Sequence, residues 1–449
     1  MTRPGSAVRR RLASISEAIA SRLWPLPLVA VVAGVILGVA LPVIDRAVDA
    51  SLPSWVETFV FSGGVDAARA VLSAIAGSLI TAASLTFSLT VVALQLASSQ
   101  ASPRLLRMFA SDRMVHATLA MFLGTFAYAL TVLRTVEDAT PDADAFVPRI
   151  ALTTASVLTL SSVVVLTFFL AHLARQLRVE TMMRDVHREA SETIARMADD
   201  SPGDPAPAPP RPEYARVIAS PASGFITGVD RTRLVEIAAD ADVVVRELRT
   251  VGETVIEGTP LVEWWPADPM VRPTAASAEH LAERITSCFS AAYERTPPQD
   301  VGFGLRQLAD VAAKALSPGV NDPTTAVHAL GHIAAVLADL AERDEQPAAW
   351  ADADGAARLL PAGDGFADFA EVGLEQIRRY GAGDPDVAAR LFGVLDDVAW
   401  RTRRPAQRDV LRSQLERLEA SVAREDYDEV ERARFTELGT RVRATLVRP

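Results

Sequence analysis

One cysteine, Cys288, and one lysine, Lys314, stand in 449 residues. A single thiol excludes an intrachain disulfide framework and any multi-cysteine zinc or iron–sulfur site. The net charge is −11, and no basic block is long enough to neutralise a run of phosphates, so nucleic acid is not an expected partner. Arginine supplies all the other positive charge, which we read as a GC-rich coding bias and nothing physical. Walker loop, G-x-S-x-G, H-E-x-x-H and a framed pair of catalytic carboxylates are all missing. No enzyme, no metal and no cofactor are therefore expected.

Charge is missing from long stretches. Mean hydropathy is +0.19 although 22% of residues are charged, so apolar residues are concentrated, and the long apolar runs end before residue 173. Four of them, 25–44, 70–97, 115–133 and 150–171, are each long enough as helices to span a hydrocarbon core of about 30 Å. The second, if continuous from Ala70 to Pro103, would be about 50 Å long and must tilt or project into the cytoplasm. A secretory leader is the rival for the first, but its apolar run is long and three more follow. No Asp, Glu, Lys or Arg lies inside the four cores, so a proton relay or voltage sensor lacks its residues.

Arginine placement orients the spans. Arg3, Arg9, Arg10, Arg11 and Arg22 precede the first, Arg104, Arg107 and Arg113 follow the second, and Arg175, Arg178, Arg184 and Arg188 follow the fourth. The other two loops carry Asp45, Asp49, Glu57 and Asp66, and Glu137, Asp138, Asp142 and Asp144. Both termini are expected in the cytoplasm, and the membrane is expected to be a bacterial inner membrane. In residues 1–24, Val8, Leu12, Ile15, Ile19 and Leu23 recur at helical spacing before Trp24, as in a helix lying on the leaflet. "RLLRMF" after Pro103 reads as a second in-plane segment.

The second run, "ITAASLTFSLTVVALQLASSQ", is interrupted by polar and small residues. Ser73, Gly77, Thr81, Ser84, Ser88, Gln95 and Ser99 fall within about 80° of one helix face. Two readings compete. Small and hydroxylated residues let membrane helices approach closely, or several copies bring this helix together around water. Packing is the plainer of the two.

Beyond the spans, 176–213 is a charged helix and the Pro-rich spacer "DDSPGDPAPAPPRPE". Residues 214–268 read as short strands, among them "RLVEIAAD" and "VGETVIEGTPLV". The pattern resembles a lipoyl- or biotinyl-type barrel sandwich, without the lysine that a carrier turn needs. Residues 274–449 read as helical, with helices starting at Asp322-Pro323 and Asp384-Pro385. His328 and His332 share a helix face but lack a marked third ligand, so packing is favoured over a metal. The loop "SPGVNDP", with Lys314, Ser317, Gly319, Asn321 and Asp322, is either a cap–turn–cap or a ligand loop.

"SLTFSLTVVALQLASSQASPRLLRMFASDRMV" and "DVGFGLRQLADVAAKALSPGVNDPTTA" together resemble the signatures of a family of predicted bacterial inner-membrane proteins, domain-of-unknown-function family 2254. The resemblance implies four spans and a cytoplasmic region, and brings no activity, substrate or catalytic residue. The expected fold class is membrane α-helical, four transmembrane helices, followed by a cytoplasmic α+β region: a small barrel-sandwich-like domain, then a helical domain. The expected partners are the lipid bilayer and further copies of the chain, with an unknown ligand or cytoplasmic protein open. The expected function is a homo-oligomeric, weakly selective channel with a cytoplasmic gate or vestibule. The alternative is a membrane-tethered ligand sensor or scaffold without transport.

Overall fold

The computed structural model describes residues 24–48, 61–100, 112–139, 145–176, 178–199, 203–271, 273–343 and 346–448. The expected in-plane segments at 8–23 and 104–109 lie outside the described residues. The chain divides into two compact units, Met1–Thr181 and Met182–Pro449.

Among the described residues the first unit holds the helices α1 (Pro25–Val48), α2 (Val65–Gln100), α3 (Arg113–Leu133) and α4 (Arg149–Gln176). Each is long and apolar enough to cross a membrane. α3 is central and packs on α1, α2 and α4. Leu72 and Leu79 of α2, Phe122 and Tyr128 of α3 and Leu152 of α4 form its core. α1 and α3 cross at glycine: a Cβ on Gly34 would stand 2.3 Å from the Gly124 carbonyl oxygen, so only hydrogen fits there.

Polar ties close both ends of this bundle. Asp45, 4% exposed at the end of α1, accepts from the N–H groups of Ile150 and Ala151, each at 2.9 Å. It thus satisfies the free donors that begin α4. The Tyr128 hydroxyl donates to Ala151 O at 2.9 Å. Arg46 pairs with Glu137, and Arg69 with Asp138, joining the two acidic connections. At the other end Asp112 caps α3 through Met114 N and lies 2.5 Å from His172 of α4.

The second unit contains most of α5 (Val179–Asp199), then a mixed sheet region, then helices. Its strands are β1 (Asp204–Ala206), β2 (Arg216–Ala219), β3 (Gly224–Val229), β4 (Val243–Glu247), β5 (Thr254–Val255), β6 (Pro260–Pro266), β7 (Phe289–Ala292), β8 (Ala349–Ala351) and β9 (Ala357–Leu360). They form a six-stranded sheet, β1-β8-β9-β4-β6-β2, and a three-stranded antiparallel one, β5-β3-β7. In the larger sheet only the β4–β9 pair is parallel.

The strand run "RLVEIAAD" is instead a helix, α6 (Arg231–Asp240), capped by Asp230 onto Arg233 N. Its buried residues Leu234, Val235, Ile237 and Ala238 follow helical spacing. A barrel sandwich confined to 214–268 is thereby replaced: β1 comes from the Pro-rich spacer, and β7, β8 and β9 from the stretch read as helical. The core between sheet and helices is built on Ile218, Leu234, Val245, Trp264, Ile285 and Leu359, with Ile285 supplied by α7 (Ala275–Thr286).

The remaining helices are α8 (Val301–Ala315), α9 (Pro323–Glu342), α10 (Phe366–Gly381), α11 (Pro385–Arg401), α12 (Pro405–Val422) and α13 (Glu429–Leu446). α9 also has the length and hydropathy of a span, so five described helices meet that measure where four were expected. It packs on α8, α10 and α11, with Leu330, Ile333 and Leu337 fully buried. A helix of high mean hydropathy is as much the mark of a core as of a bilayer.

Candidate functional site

Ser73, Gly77, Thr81, Ser84, Ser88 and Gln95 are all exposed on α2. The residues that bury α2 against the bundle are Ala68, Leu72, Ile75, Ala76, Leu79, Ala83, Thr86, Thr90 and Ala93, on the opposite side of the helix. Among the described residues the stripe therefore makes no close approach to another helix of the chain. A Cβ built on Gly77 would meet nothing within 4 Å. A small-residue crossing is made elsewhere, by Gly34 of α1 and Gly124 of α3.

Thr81 donates to the Gly77 carbonyl at 2.9 Å and so satisfies itself within the helix. Among the described residues, no hydrogen bond within the chain engages the side chains of Ser73, Ser84, Ser88 or Gln95. Apolar side chains flank the stripe, Ile80, Phe87 and Val91 on one edge and Leu85 and Val92 on the other, all at least 40% exposed. The outer side of α2 is thus an apolar surface with a narrow polar line along it.

The "SPGVNDP" loop spends its polar groups on itself. Ser317 Oγ donates to Lys314 O at 2.6 Å, and the N–H groups of Val320 and Asn321 donate to Ser317 O. Asn321 takes φ 50°, the left-handed region that Asn tolerates best after glycine. Asp322 N donates to Ala315 O at 2.8 Å, and its carboxylate accepts from Thr325 N and Thr325 Oγ1. Those Thr325 bonds hold the Asp322 carboxyl below its ordinary pKa. Gly319 projects into open space, and Lys314 lies in the last turn of α8. The Asp384 start of α11 repeats the same cap, accepting from Asp386 N and Val387 N.

The histidine contact is one that spacing did not indicate. His332 Nδ1 stands 3.0 Å from Nδ1 of His187, on α5, and His328 is exposed beside it. One ring must donate and the other accept, so at most one of the two is protonated. Burial, then the charges of His187 and His328, lower the His332 pKa. Next to this pair Ser191 donates to Asp339 at 2.8 Å and Arg343 to Met197 O at 2.9 Å, fastening α5 along α9. Among the described residues no three His, Cys, Asp or Glu side chains are grouped to hold a metal. Cys288 is buried, and burial raises its thiol to about 11, so it is a packing residue.

Asp45, Tyr128 and His187 escaped the sequence reading because their partners lie 106, 23 and 145 residues away. An isolated Asp at the end of an apolar run was the one visible signal.

Residues 20–397 match the family of predicted membrane proteins designated DUF2254. An uncharacterised protein of Mycobacterium bovis and one of Mycobacterium tuberculosis are each 34% identical over 454 residues, covering 98% of this chain and 83% of the relative. No solved structure matches the chain.

Proposed function

The chain belongs to the DUF2254 family of predicted membrane proteins, and from that premise we propose a homo-oligomeric, weakly selective conduit whose path is lined by the outer stripe of α2. The observation that carries it is the exposure of all six stripe residues while the opposite side of α2 is packed. A polar group left unpaired in hydrocarbon costs on the order of 1–3 kcal/mol. Four such side chains facing acyl tails would be a standing penalty, which water or a second copy removes.

In this reading α1 to α4 are the four spans, and α9 is a core helix of the second unit. In this reading the membrane is a bacterial inner membrane and both termini are cytoplasmic, an orientation that the arginine placement supports. No ionised side chain lines the path, so ions are discriminated weakly. The second unit then lies on the cytoplasmic side, where it can act as gate or vestibule. The reading assigns no catalysis.

The test uses a Cys288→Ser background with single cysteines at Ser84 and Ser88, probed by a membrane-impermeant thiol reagent, together with solute efflux from reconstituted vesicles. Labelling at both positions, and efflux blocked by the label, is the expected result. Protection at both positions in vesicles that pass no solute under tension or voltage would end the proposal.

A further inference from the structure

Arg378, on α10, is 9% exposed, and among the described residues its one side-chain hydrogen bond runs from Nη1 to the neutral Ser421 Oγ of α12, at 2.7 Å. Its Nε is buried without a partner. Arg424 donates to the same Ser421 oxygen at 3.3 Å, while Ser421 gives its own proton to Arg417 O at 2.9 Å. Arg417, from the preceding turn of α12, reaches Glu375 Oε1 at 3.4 Å, and Arg379 pairs with that same oxygen. Four guanidiniums therefore converge on one hydroxyl and one carboxylate. Burial, then the neighbouring Arg417, lower the pKa of Arg378.

Buried cations are ordinarily paired, because their desolvation is otherwise uncompensated. Glu375, which Arg379 and Arg417 reach, and the negative ends of α10 and α12 offset part of the charge. An excess of positive charge remains, and none of the carboxylates is bonded to Arg378. A tie between two helices alone would be served by a neutral side chain of the same length. Arg424 is exposed, and the Arg379 and Arg417 side chains are 66% and 38% exposed, so the cluster has a buried root and an open rim.

We propose that Arg378, Arg379, Arg417 and Arg424 form an oxyanion site for a phosphoryl group. A carboxylate matches one guanidinium fork with its two oxygens; a phosphoryl group offers three oxygens, and more charge, to several forks at once. The group comes either from a soluble phosphate or from a lipid headgroup, and the site is independent of the α2 conduit.

The experiment uses the full chain in neutral phosphatidylcholine nanodiscs and follows thermal unfolding with inorganic phosphate against chloride of equal ionic strength. Wild type gains stability with phosphate beyond chloride. An Arg417→Ala/Arg424→Ala variant, altered at the rim, binds about tenfold or more weakly. Arg378→Met loses the response while its ligand-free unfolding temperature stays level or rises. Stabilisation only in nanodiscs containing phosphatidic acid, lost in the same variants, assigns the phosphoryl group to a lipid. No gain over chloride in either bilayer overturns the site. So does an Arg378→Met protein that unfolds earlier while the rim variant keeps the wild-type response, for Arg378 is then a structural tie.

Discussion

Gly34 and Gly77 are both glycines in apolar helices, and the structure gives them opposite fates. A methyl on Gly34 meets the Gly124 carbonyl oxygen at 2.3 Å, where ordinary contact begins at 3.4 Å, a shortfall of about 1.1 Å. The obstacle is backbone, so α1 and α3 must separate locally, and overpacking of this kind costs about 1–3 kcal/mol. A methyl on Gly77 meets nothing within 4 Å of the same chain. Both substitutions gain the same helix propensity, about 1 kcal/mol in water, so their difference isolates the clash. Gly34→Ala should therefore unfold earlier than Gly77→Ala by about 1–3 kcal/mol in denaturant titrations of the detergent-solubilised chain. Gly77→Leu should unfold no earlier than wild type yet reduce oligomer size on native sizing and suppress efflux. Equal stability of the two alanine variants would refute the helix crossing. Unaltered assembly and efflux in Gly77→Leu would refute the role of the stripe.

Three further outcomes are expected. His332 is held below its ordinary value of 6.5, so the unfolded chain takes up the proton first. Stability from this site is complete above that value and is lost as pH falls from it through the lower folded pKa; unfolding temperatures of wild type and His332→Leu between pH 5 and 7.5 should diverge at the acid end, and parallel curves would dismiss the effect. Asp322→Ala removes the α9 cap and should cost about 1 kcal/mol without changing efflux, whereas altered efflux at unchanged stability would give the loop a working role. Cys288, raised to about 11 by burial, should resist thiol reagents at pH 8 until the second unit unfolds, and rapid labelling of the native chain would contradict its burial.

Signals that live within one or two turns of chain were legible in the sequence. The apolar runs became α1 to α4, and the Asp-Pro starts at Asp322 and Asp384 are the caps of α9 and α11. "RLVEIAAD" was misread because eight residues with β-branched members fit either period, and the Asp230 cap that decides for a helix lies just before them. The β8–β9 hairpin was missed although its turn, Asp352 to Gly355, carries the expected chemistry: Asp352 accepts from Asp354 N and Ala356 N, and Gly355 takes φ 80°.

Sequence alone determined that this chain carries membrane-length apolar helices, that α2 bears a polar line, and that the second part mixes strands with helices. Composition and period suffice for that, since each is a local property of the chain. Only the tertiary structure decided which side of α2 is packed, that Gly34 rather than Gly77 makes the close crossing, that Asp45 caps a helix 105 residues away, and that Arg378 and Arg424 meet on Ser421 while Arg379 and Arg417 meet on Glu375. Each of those depends on which distant surface a helix buries, and that choice is made by the sum of apolar contacts across the bundle, which no single stretch contains.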